Sequence, residues 1–204
     1  MPFRVLFLSF IILNLLSASQ QFHNPRPYPS IMKYALSMLT ADSAAVDQKL
    51  SGKTENNIVK DSLSGMPMLL GECTREAFKD TSFYWWWKSE YNFYDVDSSS
   101  LNDIKNDLNN ISIKVVMGTW CSDSRREVPR FFKILDAVNY SSEKVKIICV
   151  DEDKKTKGDE LNGLNIEFVP TIIFYRDGNE IGRIVEAPND TLEKDMIKIL
   201  TAHS

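Results

Sequence analysis

Apolar and polar positions follow a regular order in the second half of the chain, and that order predicts an α/β domain. Apolar residues at helical spacing predict helices over 101–108, 122–138 and 192–200, with a weaker helix over 154–164. Runs rich in β-branched residues predict buried strands over 113–117 and 145–150. Two further strands, 171–175 and 180–185, flank a turn centred on Asp177-Gly178. The predicted order is αβαβαββα, an α/β domain that closes with an antiparallel hairpin and a helix.

The first residues have the pattern of an export signal. Arg4 precedes an apolar run over 5–16, and small residues at 17–19 provide a cleavage site, so residues 1–19 are predicted to be a signal peptide. The run is shorter than the roughly 20 apolar residues that span a bilayer. An uncleaved membrane anchor is the competing interpretation. We therefore expect an exported protein, periplasmic or secreted, with no stable membrane insertion after the signal is removed.

Residues 20–99 are predicted to form an aromatic-rich and mostly helical extension, and a polar stretch near residue 100 predicts the domain boundary. Eight aromatic residues lie within 83–94. Two hypotheses remain open for them, a cover over the sheet of the following domain or an exposed surface that binds a protein.

Composition narrows the classes of function. The chain has 204 residues, of which 43% are hydrophobic and 25% charged, enough for a packed core. A net charge of −4 argues against nucleic-acid binding through a general basic surface. Three cysteines and two histidines argue against a structural zinc site and against a fully paired set of disulfides. No metal or other cofactor is expected.

Cys121 is the leading candidate for chemistry. It lies between a predicted buried strand and a predicted helix, where the free N–H groups of a helix N-terminus stabilise an anion such as a thiolate. The thiolate is the nucleophile in thiol–disulfide exchange. The alternative is a half-buried cysteine that only packs.

The motif around this cysteine resembles that of the thioredoxin superfamily. Trp120-Cys121-Ser122-Asp123-Ser124 is similar to the family's Trp-Cys-x-x-Cys site, and Pro129 stands where many members have a proline in the active-site helix. The segment Phe168-Val169-Pro170-Thr171 resembles the cis-proline segment that faces the thiol. The stretch 118–135 is also similar to an exported bacterial subgroup. Over residues 100–204 the resemblance implies a thioredoxin-like fold, a central mixed sheet flanked by helices, preceded here by the mostly helical extension. It also implies a client groove formed with Trp120, Asp123, Val169, Pro170 and Thr171.

The chain departs from the family pattern at the second cysteine. Ser124 stands in its place, and a hydroxyl forms no disulfide, so an internal disulfide with Cys121 is excluded. Cys121 and Ser124 are then expected to support exchange with one thiol, with Ser124 hydrogen-bonded to the sulfur. The client would be a protein with a thiol or disulfide, or a small thiol such as glutathione. Cys73 is a candidate resolving thiol if the extension folds over the site, whereas Cys149 is predicted to be buried core.

A second departure concerns charge in the groove. The buried Asp of the family falls on Val115 here, and a groove glycine of the family falls on Glu186. We expect Glu186 either to replace the missing acid as a base, to oppose the thiolate by charge repulsion, or simply to face solvent. If the chain is active, it is an enzyme of the thiol–disulfide oxidoreductase type. The alternative function is a redox-inactive thioredoxin-fold module that binds a protein partner.

Overall fold

Five strands form one mixed sheet in the computed structural model, which describes residues 56–202. Two short strands form a separate pair, β1 (Ile58–Lys60) and β2 (Pro67–Leu69). The sheet contains β3 (Gly71–Cys73), β4 (Ile111–Met117), β5 (Val145–Cys149), β6 (Thr171–Arg176) and β7 (Asn179–Val185). Its order is β3-β5-β4-β6-β7; β4 and β5 are parallel and the other neighbours are antiparallel. The predicted α/β fold with a mixed sheet and a terminal hairpin is confirmed.

Four α-helices accompany these strands in the described residues. They are α1 (Thr81–Phe93), α2 (Leu101–Asp107), α3 (Ser122–Ala137) and α4 (Leu192–Thr201), with short 3-10 helices at Arg75–Lys79 and Ser142–Lys144. Side chains from all four helices pack against one face of the sheet, together with Val115 and Met117 of β4. Val116, between them in the strand, points to the other face, because side chains alternate along a strand.

The second face of the sheet is covered by irregular chain rather than by the weak helix predicted over 154–164. Turns and bends replace that helix. Lys154 and Gly163, at the two ends of this segment, have φ of 57° and 76°, and Asn165 just after it has φ of 50°; all three lie in the left-handed region, which a right-handed helix does not contain. Leu161, Leu164 and Ile166 still cover this face, so apolar spacing that looked helical comes from a loop.

The compact unit begins well before residue 100. It includes all of the described residues, 56–202, because β3 pairs with β5 and α1 packs along α3. The structure thus places the described residues 56–99 in the same unit as the sheet, although the sequence predicts a boundary near 100. This part contains three short strands as well as a 3-10 helix and α1. The predicted signal peptide and the rest of the extension, 1–55, lie outside the described residues.

The aromatic cluster divides between core and surface. Phe83, Trp86 and Trp87 are buried at helical spacing on α1, whereas Trp85 and Phe93 are 65% and 86% exposed. Three adjacent tryptophans project in different directions from a helix, so part of the cluster covers the sheet and part lies at the surface. That this surface binds a protein stays a prediction. Within 56–202, the structure contains no helix long and apolar enough to cross a membrane.

Candidate functional site

Cys121 lies at the junction of β4 and α3, as the strand and helix patterns predict. Its N–H donates to Gly118 O at 3.0 Å, which closes a tight turn after the strand. The N–H of Arg125 donates to Cys121 O at 3.0 Å, so Cys121 is the N-cap residue from which α3 starts. The side chain is half-buried, and its sulfur therefore combines partial exposure with the free N–H groups of a helix N-terminus.

The segment around Pro170 faces this sulfur. Cys121 Sγ donates to Val169 O at 3.2 Å, and the peptide bond between Val169 and Pro170 is cis. Thr171 Oγ1 donates to Phe168 O at 2.7 Å, which closes the turn before β6. Val169, Pro170 and Thr171 are buried, but Phe168 is 49% exposed. The segment thus presents a backbone carbonyl to the thiol and an apolar side chain to solvent.

Trp120 holds the loop before Cys121 against the sheet. Its indole Nε1 donates to Val150 O at 2.9 Å, at the end of β5. The six-membered ring lies so close to Gly118 that a Cβ there would be 2.5 Å from Trp120 Cε2. Only glycine fits beneath the indole, which explains why position 118 is a glycine. The sequence analysis gave this residue no role.

Ser124 is buried directly behind the loop. Its Oγ accepts a hydrogen bond from the N–H of Gly118 at 3.2 Å. The sequence predicted a hydrogen bond with the Cys121 sulfur, but the bond that the structure gives this hydroxyl supports the turn instead. Ser124 therefore orders the main chain that carries the thiol.

Two residues that sequence reasoning missed, Thr119 and Leu69, connect the loop to β2. Thr119 Oγ1 accepts from the N–H of Leu69 at 3.1 Å, and both residues are buried. Arg125 Nε donates to Thr119 O at 2.5 Å and so holds the same residue from the helix side. No local pattern reveals the contact with Leu69, because 50 residues separate the partners in sequence.

The charged residues of the first turns of α3 bind one another. Asp123 forms an ion pair with Arg126 at 2.8 Å, and Arg126 also binds the buried carboxylate of Glu127 at 2.5 Å. The carboxylate of Asp123 is thus engaged by a guanidinium one turn along the helix, which offsets the negative charge that it brings near the thiol.

Glu186 meets the cis-proline segment through its backbone. Its N–H donates to Pro170 O at 2.7 Å, and its φ of 59° is left-handed, a conformation that glycine adopts most easily. The side chain is exposed, and within the described residues it makes no hydrogen bond or ion pair with Cys121. This placement agrees with the solvent-facing alternative of the sequence analysis.

The structure does not bring Cys73 to Cys121. Cys73 and Cys149 belong to the cluster on the helical face of the sheet, whereas Cys121 packs with Val169 on the other face. Cys149 is fully buried, as predicted, and burial raises the pKa of its thiol well above the ordinary value. In residues 56–202, no three His, Cys, Asp or Glu side chains converge on a metal-sized site.

Comparisons with known proteins agree with this geometry. The thioredoxin family model matches residues 95–198. A crystal structure of a protein of unknown function from Pseudomonas aeruginosa is 14% identical, with a TM-score of 0.51, and the match covers 66% of this chain and 94% of that one. This likeness shows the fold.

Thioredoxins are among the other structures matched. The match to the thioredoxin of Fasciola hepatica is 19% identical over 50% of this chain and 88% of that chain, with a TM-score of 0.34. Mitochondrial thioredoxin 3 of Saccharomyces cerevisiae is 24% identical over 43% of this chain and 76% of that chain, with a TM-score of 0.28. No curated protein matches the sequence significantly.

Proposed function

The chain belongs to the thioredoxin family, and from this premise we propose that it carries out thiol–disulfide exchange with a single thiol, Cys121, in an exported compartment. One observation carries the proposal. The Cys121 sulfur lies at the N-cap of α3, 3.2 Å from Val169 O, beside the cis peptide bond to Pro170. A half-buried nucleophile and an adjacent main-chain carbonyl are what an extended client segment needs for docking and reaction.

The first step is attack on a disulfide. The reacting form of Cys121 is the thiolate, at the N-cap position of α3. This thiolate attacks one sulfur of the client disulfide, forms a mixed disulfide and releases the other client sulfur as a thiolate. The exposed ring of Phe168 offers apolar contact to the residues that flank the client sulfur.

The second step needs a thiol from outside the site. Ser124 has no sulfur, and Cys73 and Cys149 lie across the sheet. A second thiolate, from glutathione or from another protein, attacks the mixed disulfide and restores one thiol as it forms a new disulfide. When the external thiolate attacks the client sulfur, Cys121 is released unchanged and the client keeps a disulfide to that thiol. A second external thiolate then removes it, so over the whole cycle two external thiols become one disulfide and the client disulfide becomes two thiols.

Adduct formation at Cys121 tests the proposal. The full chain is incubated with oxidised glutathione, and the rate of adduct formation at Cys121 is followed by mass spectrometry. The matched control is an unfolded peptide with the sequence of residues 117–125, which has the same cysteine without the helix or the carbonyl. We expect faster reaction in the folded chain, loss of the adduct in Cys121→Ala, and removal by reduced glutathione.

A folded chain that reacts no faster than the peptide would contradict exchange. It would favour the redox-inactive module, in which the same groove only holds a protein partner. Client capture then separates the two functions. Trapped clients that are released by reductant support exchange, whereas clients retained equally by Cys121→Ala indicate binding alone.

The compartment is tested separately. Residues 1–19 have a basic start, an apolar run and small residues at the end, and export would place Cys121 where disulfide clients persist. A reporter fused after residue 19 should leave the cytoplasm, and its retention there would refute export without affecting the chemistry of Cys121.

A further inference from the structure

Two cysteines that the proposed function does not use lie next to each other on the helical face of the sheet. In the antiparallel pairing of β3 with β5, Gly71 is opposite Cys149 and Cys73 is opposite Ile147. Cys73 and Cys149 are therefore diagonal neighbours, and they share one face because side chains alternate along a strand. Both are buried, at 5% and 0% exposure, and both are reduced.

The two thiols interact directly. Burial raises the pKa of Cys149 most, and a hydrogen bond with the Cys73 thiol raises it further. The Cys73 thiol donates a hydrogen bond to Gly71 O at 3.3 Å, and Gly71 is the residue paired with Cys149, so the Cys73 sulfur lies beside the strand position of Cys149. The remaining cysteine, Cys121, lies on the opposite face and takes no part in this contact.

Only one thiol of the pair borders open space. A cleft of about 800 Å³ is lined by Cys73, by the aromatic side chains of Phe78, Trp87 and Phe132, and by charged residues, whereas Cys149 does not line it. A small reagent in this cleft thus meets Cys73 first, and Cys149 lies behind it in the core. This order is the one that an attacking and a resolving thiol need.

We propose that Cys73 and Cys149 form a second redox pair, separate from Cys121, that a low-molecular-weight disulfide oxidises to a disulfide across β3 and β5. The Cys73 thiolate attacks the small disulfide, forms a mixed disulfide and releases one small thiol. Cys149 then attacks the Cys73 sulfur and gives up its proton to the departing small thiolate, which closes the intrachain disulfide and releases the second small thiol. Two electrons pass from the two cysteines to the oxidant, and the protons of both thiols go to the products.

The strand arrangement allows the closure. Diagonal neighbours in an antiparallel pair have Cα atoms about 7–8 Å apart, above the upper limit of about 6.8 Å for disulfide-bonded residues. Closure therefore requires β3 to move towards β5. β3 has three residues and lies at the edge of the sheet, with β5 as its neighbour, so it moves more easily than an inner strand.

Disulfide mapping in Cys121→Ala tests the pair without interference from the first site. The full-length variant is equilibrated with oxidised glutathione, alkylated, and digested without reductant. We expect loss of both free thiols, a peptide that links Cys73 to Cys149, and a higher melting temperature that reductant reverses. Two thiols that stay free, or that end as separate glutathione adducts, would overturn the proposal.

Wild-type chain and a double variant complete the test. In wild type, the same linked peptide is expected; a peptide linking Cys73 to Cys121 in its place would overturn the proposal. Cys121→Ala combined with Cys73→Ala should show no intrachain link, and its remaining thiol should react slowly. Because the linked peptide is scored in the absence of Cys121, failure of this pair and failure of exchange at Cys121 are distinguishable.

Discussion

The hydrogen bond from Leu69 to Thr119 joins β2 to the loop that carries Cys121. The unfolding free energy lost when this bond is removed can be worked out from the burial of the two residues. Both residues are almost fully buried, and the N–H···Oγ1 distance is 3.1 Å. Thr119→Val keeps the shape of the side chain and removes the acceptor. A buried N–H that loses its partner costs about 1–3 kcal/mol of unfolding free energy. For a unit of this size, each 1 kcal/mol corresponds to about 2–4 °C, so we expect a melting temperature lower by roughly 2–12 °C.

Thr119→Ser is the matched control, because it keeps the oxygen and loses one methyl group, at a cost of about 1 kcal/mol. The stability ranges of the two variants overlap, so amide exchange decides between them. In Thr119→Val, the amide proton of Leu69 should lose protection by local opening, and in Thr119→Ser it should keep it. If Thr119→Val is as stable as wild type and the Leu69 amide is equally protected, then the hydrogen bond does not hold β2 to the loop.

Three further substitutions probe the loop and the helical face. Gly118→Ala should displace Trp120, because its Cβ would lie 2.5 Å from the indole. The expected loss of stability is about 1–3 kcal/mol, and it should be seen as a lower melting temperature with altered tryptophan fluorescence. Ser124→Ala leaves the Gly118 N–H without its acceptor and should cost about 1–3 kcal/mol, which denaturant unfolding would detect or refute. Burial raises the pKa of Asp136, but hydrogen bonds led by Arg75, at 2.7 and 2.8 Å, outweigh it and hold the pKa below its ordinary value. This stabilisation is present above about pH 4 and is lost as the pH falls through the folded-state pKa, so Asp136→Asn should be less stable at pH 7 and flatten the acid limb of a stability–pH curve.

Regular patterning explains which elements could be predicted. α3 and α4 repeat an apolar spacing over several turns, and β4 and β6 are apolar runs rich in β-branched residues. β3 has three residues and no measurable period, so its place in the sheet comes from pairing with β5. The predicted helix over 154–164 is wrong for another reason: left-handed residues lie at both ends of this segment, although its apolar spacing resembles that of a helix.

The candidate site was predicted only in part, because some of its contacts join residues that are far apart in sequence. Cys121 follows from a strand-to-helix junction, and the approach of Val169 followed from a family resemblance, not from spacing. Contacts over long sequence separations, such as that of Leu69 with Thr119, leave no periodic signal. The proximity of Cys73 to Cys149 likewise depends on a register that the sequence does not reveal.

Division of the three cysteines between the two faces of the sheet also makes the native chain a convenient substrate for conjugation. Cys121 is half-buried at the surface, whereas Cys149 is enclosed in the core and the almost fully buried Cys73 is reached only through the cleft beside the helices. A bulky maleimide too large for the buried positions should label Cys121 alone, with no cysteine removed beforehand. A fluorophore or cross-linker can then report on the groove in the unmodified sequence.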